Sequence, residues 1–150
     1  MPKKDTITYG TVKESAVNLH FKVGAGGDNG IADVMLIQTL FRYIGKIGQK
    51  AMYNIGLQLH ELPAIDGICG RVTKNAILKF QRKNASKVLA VDGLIEPASY
   101  EGRTIRAGEP RVMTMTLLHF LALEMQAYHP EPSYIDTLIK MTPQLRPWLS

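Results

Sequence analysis

The chain has 150 residues, of which 45% are apolar and 21% are charged, and its net charge is +5. These values exclude a disordered, collagen-like or disulfide-rich chain. The length suits one compact domain that buries about two-thirds of its unfolded surface.

Cysteine, histidine and apolar content exclude further classes. Cys69 is the single cysteine, and the four histidines lack the spacing of a zinc site, so we expect no metal and no cofactor. No apolar run reaches the roughly 20 residues of a membrane helix, so membrane insertion is not expected. The first residues contain two lysines without a following apolar segment, which favours cytoplasmic synthesis without a signal peptide.

Residues 1–27 are predicted to form a β ribbon. Polar and apolar residues alternate over 15–23, which is typical of a half-buried strand, and a shorter strand over 6–12 is expected to pair with it. The buried face of the longer strand should contain Val17, Leu19, Phe21 and Val23. The glycine-rich stretch that follows should end this strand.

A helix is predicted over residues 31–44, capped by Asp28 or Asn29, with Asp33 in its first turn. Apolar residues recur at spacings of three and four, so they form one inward stripe, and Gln38 stands near its edge. Residues 45–65 contain several glycines, and 49–60 is open to either a helix or a strand pair.

Residues 64–100 contain paired Asp-Gly turns, at Asp66-Gly67 and Asp92-Gly93, on either side of a helix over 73–83 with Thr73 as its N-cap. Between Gly67 and Val91 there are six cations and no acid, and most of these cations lie on the outward face of the helix. This local charge favours an anionic partner.

The motif in this stretch resembles the peptidoglycan-binding domain family, whose small helical modules read DGxxGxxT, then FQ, then DG. The matching residues, expected to shape turns, caps and core, are Asp66, Gly67, Gly70, Thr73, Phe80, Gln81, Asp92 and Gly93. The glycine-rich turn before the first helix is also similar to modules of phage lysins and of proteins linked to type VI secretion. Two features depart from the family pattern: residues 45–65 form an insertion, and Glu96 stands where the family has glycine.

The resemblance implies a mainly α fold. Its three-helix peptidoglycan-binding-like core would occupy residues 28–104, between the N-terminal β ribbon of 1–27 and a C-terminal helical extension of 105–150, all in a single domain. In the extension we predict a buried apolar helix from Pro110 to about residue 128, with His119 as a core histidine. A short helix over 133–141 should follow, and Pro143 and Pro147 should break the tail.

The implied function is non-catalytic recognition of peptidoglycan or a muropeptide, which delivers or anchors a wall-acting partner such as a wall hydrolase or a secretion-system protein. Lysis or a secretion apparatus would deliver the chain to the wall. Muropeptides carry carboxylates and amides along a sugar chain, so a binding site needs cations, amides and an aromatic face. The side chains of these types near the motif are Arg71, Asn75, Tyr100 and Gln38.

Other function classes have less support in the sequence. No nucleophile-elbow or phosphate-loop motif is present. Glu61 and Asp66 could be considered as a glycosidase pair, but their proximity in sequence does not establish the required separation of the carboxylates. We therefore expect no enzyme. Nucleic-acid binding is disfavoured because aromatic residues do not alternate with the cations. The main alternative is a protein–protein adaptor or scaffold of a phage or type VI secretion system, using its surface or the apolar helix over 112–127.

Overall fold

The computed structural model describes residues 1–46, 54–100, 104–106 and 109–150. Of these residues, 44% are helical and 16% are in strands of two small sheets, so the protein has a mixed α/β fold. The prediction of a mainly α fold with a three-helix core was wrong. Part of the prediction over 49–60, residues 49–53, lies outside the described residues.

A three-stranded sheet contains the N-terminal ribbon. Strands β1 (Lys3–Tyr9) and β2 (Val12–Asn18) form an antiparallel hairpin in which Lys3 faces Asn18 and Tyr9 faces Val12. Strand β5 (Thr104–Ile105) adds to β1 in parallel. The predicted pairing of two strands is confirmed, but the first strand ends at Tyr9 rather than at Val12. A distant strand, which no local pattern indicates, also pairs with it.

A two-stranded sheet joins the glycine-rich turn to the second Asp-Gly turn. Strand β3 (Val23–Gly24) pairs antiparallel with β4 (Leu94–Ile95), with Val23 opposite Ile95 and Gly24 opposite Leu94. Each strand is two residues long, so its formation depends on tertiary pairing rather than on alternation along the chain.

The predicted strand over residues 15–23 ends early, at Asn18. Its expected buried face is correct for Val17, Leu19 and Val23 but wrong for Phe21, which is 52% exposed. The cause is the Asp33 carboxylate, which accepts the backbone N–H groups of His20 (3.0 Å) and Phe21 (3.2 Å) and so turns the chain out of the sheet.

Helix α1 (Ile31–Gly45) matches the predicted helix, and Asp33 does lie in its first turn. Its cap differs: Gly30 occupies the N-cap position, while the Asn29 amide bonds Gly24 and Gly27 within the glycine-rich turn. The helix is buried on most of its surface because two later helices, Thr114–Gln126 and Tyr134–Met141, also pack on it.

Helix α2 (Arg71–Lys83) begins two residues earlier than predicted, with Gly70 at its N-cap. Thr73 is thus in the first turn and buried, and it does not cap the helix. The turn before α2 is preceded by a short 3-10 helix, Leu59–Glu61, whose Glu61 side chain bonds Lys79 of α2.

The C-terminal part contains helices α3 (Thr114–Gln126), α4 (Tyr134–Met141) and α5 (Arg146–Leu149). Ser133 caps α4 by accepting the Ile135 N–H at 3.2 Å. Pro143 and Pro147 do not break the tail; they lie in the first turns of a 3-10 helix and of α5, where a missing N–H has no cost.

Helix α3 packs inside the chain, against α1, α4 and β2. Its His119 is buried as predicted, and its ring nitrogens lie 2.6 Å from the Tyr134 hydroxyl and 2.9 Å from the Glu14 carboxylate. The same hydroxyl accepts the Val17 N–H, so a neutral imidazole that donates to Glu14 satisfies every group. Burial lowers the pKa of His119, against the opposing effect of Glu14.

Candidate functional site

The first Asp-Gly turn is held by Gln38, which projects from α1. The Gln38 Oε1 atom accepts the N–H groups of Asp66 (3.0 Å) and Gly67 (2.9 Å). Its Nε2 atom contacts the Asp66 carboxylate (2.9 Å), the Ile68 carbonyl (3.0 Å) and the Thr73 hydroxyl (3.1 Å). One buried amide therefore fixes the turn and connects α1 to the start of α2.

The second Asp-Gly turn is held in the same way by Gln81 of α2. The Gln81 Oε1 atom accepts the N–H groups of Asp92 (3.2 Å) and Gly93 (2.8 Å). Its Nε2 atom contacts the Leu94 carbonyl (2.8 Å) and the Thr114 hydroxyl (3.1 Å). This amide connects α2 to the start of α3.

The two arrangements form a structural repeat that the sequence pattern did not reveal. In each, a helical glutamine binds an Asp-Gly turn and then a threonine in the first turn of the next helix. The Asp carboxylate also accepts the N–H two residues on, from Ile68 or Leu94, at 3.0 Å in both. Gly67 and Gly93 have φ of +74° and +76°, which L side chains rarely adopt.

The chemistry of Asp66 follows from this bonding. The Ile68 N–H and then the Gln38 amide hold the pKa of its carboxyl below the usual value. The pKa of Glu61 is also lowered, chiefly by its bond to Lys79 and then by the Gln58 N–H. A glycosidase general acid needs a raised pKa, so neither carboxyl is suited to that role.

An open groove of about 510 Å³ lies beside the second turn, along the outward face of α2. It is lined by Ala25, Arg71, Lys74, Asn75, Leu78, Asp92 and Gly93. The floor and one wall come from α2, whereas the glycine-rich turn and the second Asp-Gly turn provide the other wall. Pairing of β3 with β4 and the bond from Ala25 N–H to the Gly93 carbonyl (3.1 Å) hold these two turns together.

The groove contains Arg71 and Asn75, two of the side chains expected to bind a ligand. Both are exposed, as is Lys74, while Leu78 is half-buried. Neither Arg71 nor Lys74 makes a salt bridge within the described ranges of the chain. Their charges therefore face solvent across the groove.

The other two candidate residues lie elsewhere. Gln38 is fully buried and its amide is used by the first turn, so it offers no atom to a ligand in this structure. Tyr100 is only 3% exposed, and burial raises the pKa of its hydroxyl. The aromatic face expected near the motif is thus part of the core.

Neither Glu96 nor the described part of the insertion, residues 54–65, lines the groove. Glu96 is paired with Lys22 at 3.3 Å and does not adopt a positive φ, which among the described non-glycine residues is found at Asn29. In the insertion, the described residues 54–65 pack near Lys79 and Lys83 rather than along the groove.

Metal sites, membrane-spanning helices and similarity to known proteins also bear on the class of protein. Within residues 1–46, 54–100, 104–106 and 109–150, no cluster of His, Cys, Asp or Glu has the arrangement of a metal site. In the same ranges no helix has the length and apolar character needed to cross a membrane. Comparison with protein-family models, curated proteins and solved structures finds no match to this chain.

Proposed function

We propose that the groove along α2 binds bacterial peptidoglycan without catalysis, so that the chain delivers or anchors a wall-acting partner. One observation carries the proposal: Arg71 and Asn75, selected by residue type near the Asp-Gly motif, line one open groove with Lys74. Cations and amides are the groups that recognise the carboxylates and amides of a muropeptide. The resemblance of residues 64–100 to peptidoglycan-binding modules supports the same ligand.

The geometry of the two Asp-Gly turns, which are held by Gln38 and Gln81, favours ligand binding over catalysis. Asp66 and Asp92 use their carboxylates to accept backbone N–H groups, and the glutamines that hold them are buried. These groups therefore hold the backbone of the turns in place, so that little backbone entropy is lost there on binding. A rigid groove with exposed cations suits a binding module.

The proposal is tested by sedimentation with purified insoluble peptidoglycan at low salt. Wild type is expected in the pellet, and the double variant Arg71→Glu, Asn75→Ala should bind about tenfold more weakly because it reverses one charge and removes one amide. Lys13→Glu, which makes the same charge change at an exposed position of β2, is the matched control and should sediment like wild type. Wild type that stays in the supernatant would contradict wall binding.

The adaptor alternative now rests on a different surface. The apolar helix that suggested it is α3, which packs against α1, α4 and β2 within the chain. Exposed apolar side chains are found instead around the first turn, at Ile31, Ile68 and Val72, and Ile31 lies against Gly67. A stoichiometric protein partner that is lost in Ile68→Ser would favour an adaptor, in particular if wild type fails to sediment with peptidoglycan.

A further inference from the structure

The groove along α2 has charges of opposite sign on its two sides. Arg71 and Lys74 project from the helix, and Asp92 lies on the second Asp-Gly turn across from them. The Asp92 Oδ1 atom accepts the Leu94 N–H at 3.0 Å, and its carboxylate makes no salt bridge in the parts of the chain described. The groove therefore presents two cations and one anion to a ligand.

The lining of the groove is poorly suited to a sugar ring. Among the described residues that line it, the side chains are aliphatic, amide or charged, and none is aromatic. A sugar ring usually needs an aromatic face, which Tyr100 does not provide because it is buried. The N-acetylated sugars of peptidoglycan are also largely uncharged, so they leave both signs of charge in the groove without a partner.

The peptide stems of peptidoglycan match these features. A stem carries free carboxylates, and its diamino acid carries a free ammonium group when the stem is not cross-linked. Two cations on one wall can bind a carboxylate through charge-assisted hydrogen bonds, and a carboxylate on the opposite wall can bind the ammonium. Asn75 can bond a peptide group, while Ala25 and Leu78 can contact alanine methyl groups.

We propose that the groove binds the uncross-linked peptide stem, with Arg71 and Lys74 on a stem carboxylate and Asp92 on the free ammonium of the diamino acid. This inference rests on the proposed wall-binding function and specifies its ligand. Cross-linking converts the ammonium into an amide, which removes the charge that Asp92 recognises. The groove thereby distinguishes open from cross-linked stems.

The test is calorimetric titration of the full chain with three probes: a stem tetrapeptide with L-lysine as its diamino acid, the same peptide acetylated on the lysine amine, and glycan strands freed of peptide. Wild type should bind the tetrapeptide and should bind the acetylated form about fivefold to tenfold more weakly. Glycan strands alone should show no binding.

The variant Asp92→Asn assigns the selectivity to one residue. It keeps the oxygen that accepts the Leu94 N–H but removes the charge, so it should bind the two peptides equally. The structural repeat supplies a matched control, because Asp66→Asn makes the same change at the first turn, outside the groove, and should keep the wild-type preference.

The outcomes separate this inference from the broader function. If wild type sediments with peptidoglycan but binds stripped glycan strands rather than the tetrapeptide, wall binding stands and the stem assignment is overturned. Equal affinity of wild type for free and acetylated peptides also overturns it. If neither peptidoglycan nor any probe binds, both proposals fail.

Discussion

Replacing Gln38 with methionine is expected to lower the free energy of unfolding by about 3–5 kcal/mol. The variant keeps the length of the side chain but loses every hydrogen bond that the Gln38 amide makes to the first turn. The Gly67 N–H, which is buried, would then have no acceptor, and the link between α1 and Thr73 would be lost. Denaturant unfolding followed by circular dichroism measures the change.

The appropriate control is Gln144→Met, because Gln144 is exposed and lies in the C-terminal 3-10 helix. This variant should remain within about 0.5 kcal/mol of wild type. Gln81→Met should be destabilised as much as Gln38→Met, since its amide holds the second turn in the same way. A Gln38→Met variant as stable as wild type would refute the bracing role.

Replacing Gly24 with alanine is expected to cost about 3–5 kcal/mol or to prevent folding. Gly24 has φ of +126°, and an added Cβ would lie 2.1 Å from the Gly93 carbonyl oxygen. The backbone itself would have to move, which separates β3 from β4 and the glycine-rich turn from the second Asp-Gly turn. Thermal and denaturant unfolding both report this loss.

The variant Gly26→Ala separates the cost of the steric clash from the cost of the positive φ. Gly26 also has a positive φ, of +76°, but an added Cβ would meet nothing within 4 Å. Its cost should be limited to about 1–2 kcal/mol, the penalty of an L residue in the left-handed region. If both variants lost the same stability, close approach of Gly24 to Gly93 would not be important.

Helices α1 and α2 could be predicted from the sequence because each is indicated by the spacing of its own apolar residues. Apolar residues at three- and four-residue spacing indicate a helix before any tertiary contact is known, and α1 follows the predicted bounds within one residue. The exposed position of Asn75 was also predictable, since the apolar stripe of α2 leaves it on the opposite face. The place of Arg71 in the first turn was not, because the helix was predicted to begin at Thr73.

The roles of individual polar residues could not be predicted in the same way. Asn29 and Thr73 have the residue types of N-caps, but the glycine next to each helix takes that position and their side chains bind elsewhere. Asn, Thr and Gln each have several possible partners, and the choice depends on the tertiary arrangement.

The structural repeat is hidden because its parts are unevenly spaced. Gln38 precedes its turn by 28 residues, whereas Gln81 precedes its turn by 11. Because the two spacings differ, a search for a fixed sequence period finds no repeat, although the side-chain contacts are equivalent. The two-residue strands β3 and β4 are also too short to be recognised from a local pattern, and the prediction of a mainly α fold came from the family resemblance.

The most direct test of wall recognition by this groove is an amide-resolved NMR titration of the full chain with soluble muropeptides. Chemical-shift changes should concentrate at Ala25, Arg71, Lys74, Asn75, Leu78 and Gly93, which line the groove. Changes confined to another surface, such as the cavity beside Tyr9 and Phe120, or no changes at millimolar muropeptide, would contradict the account.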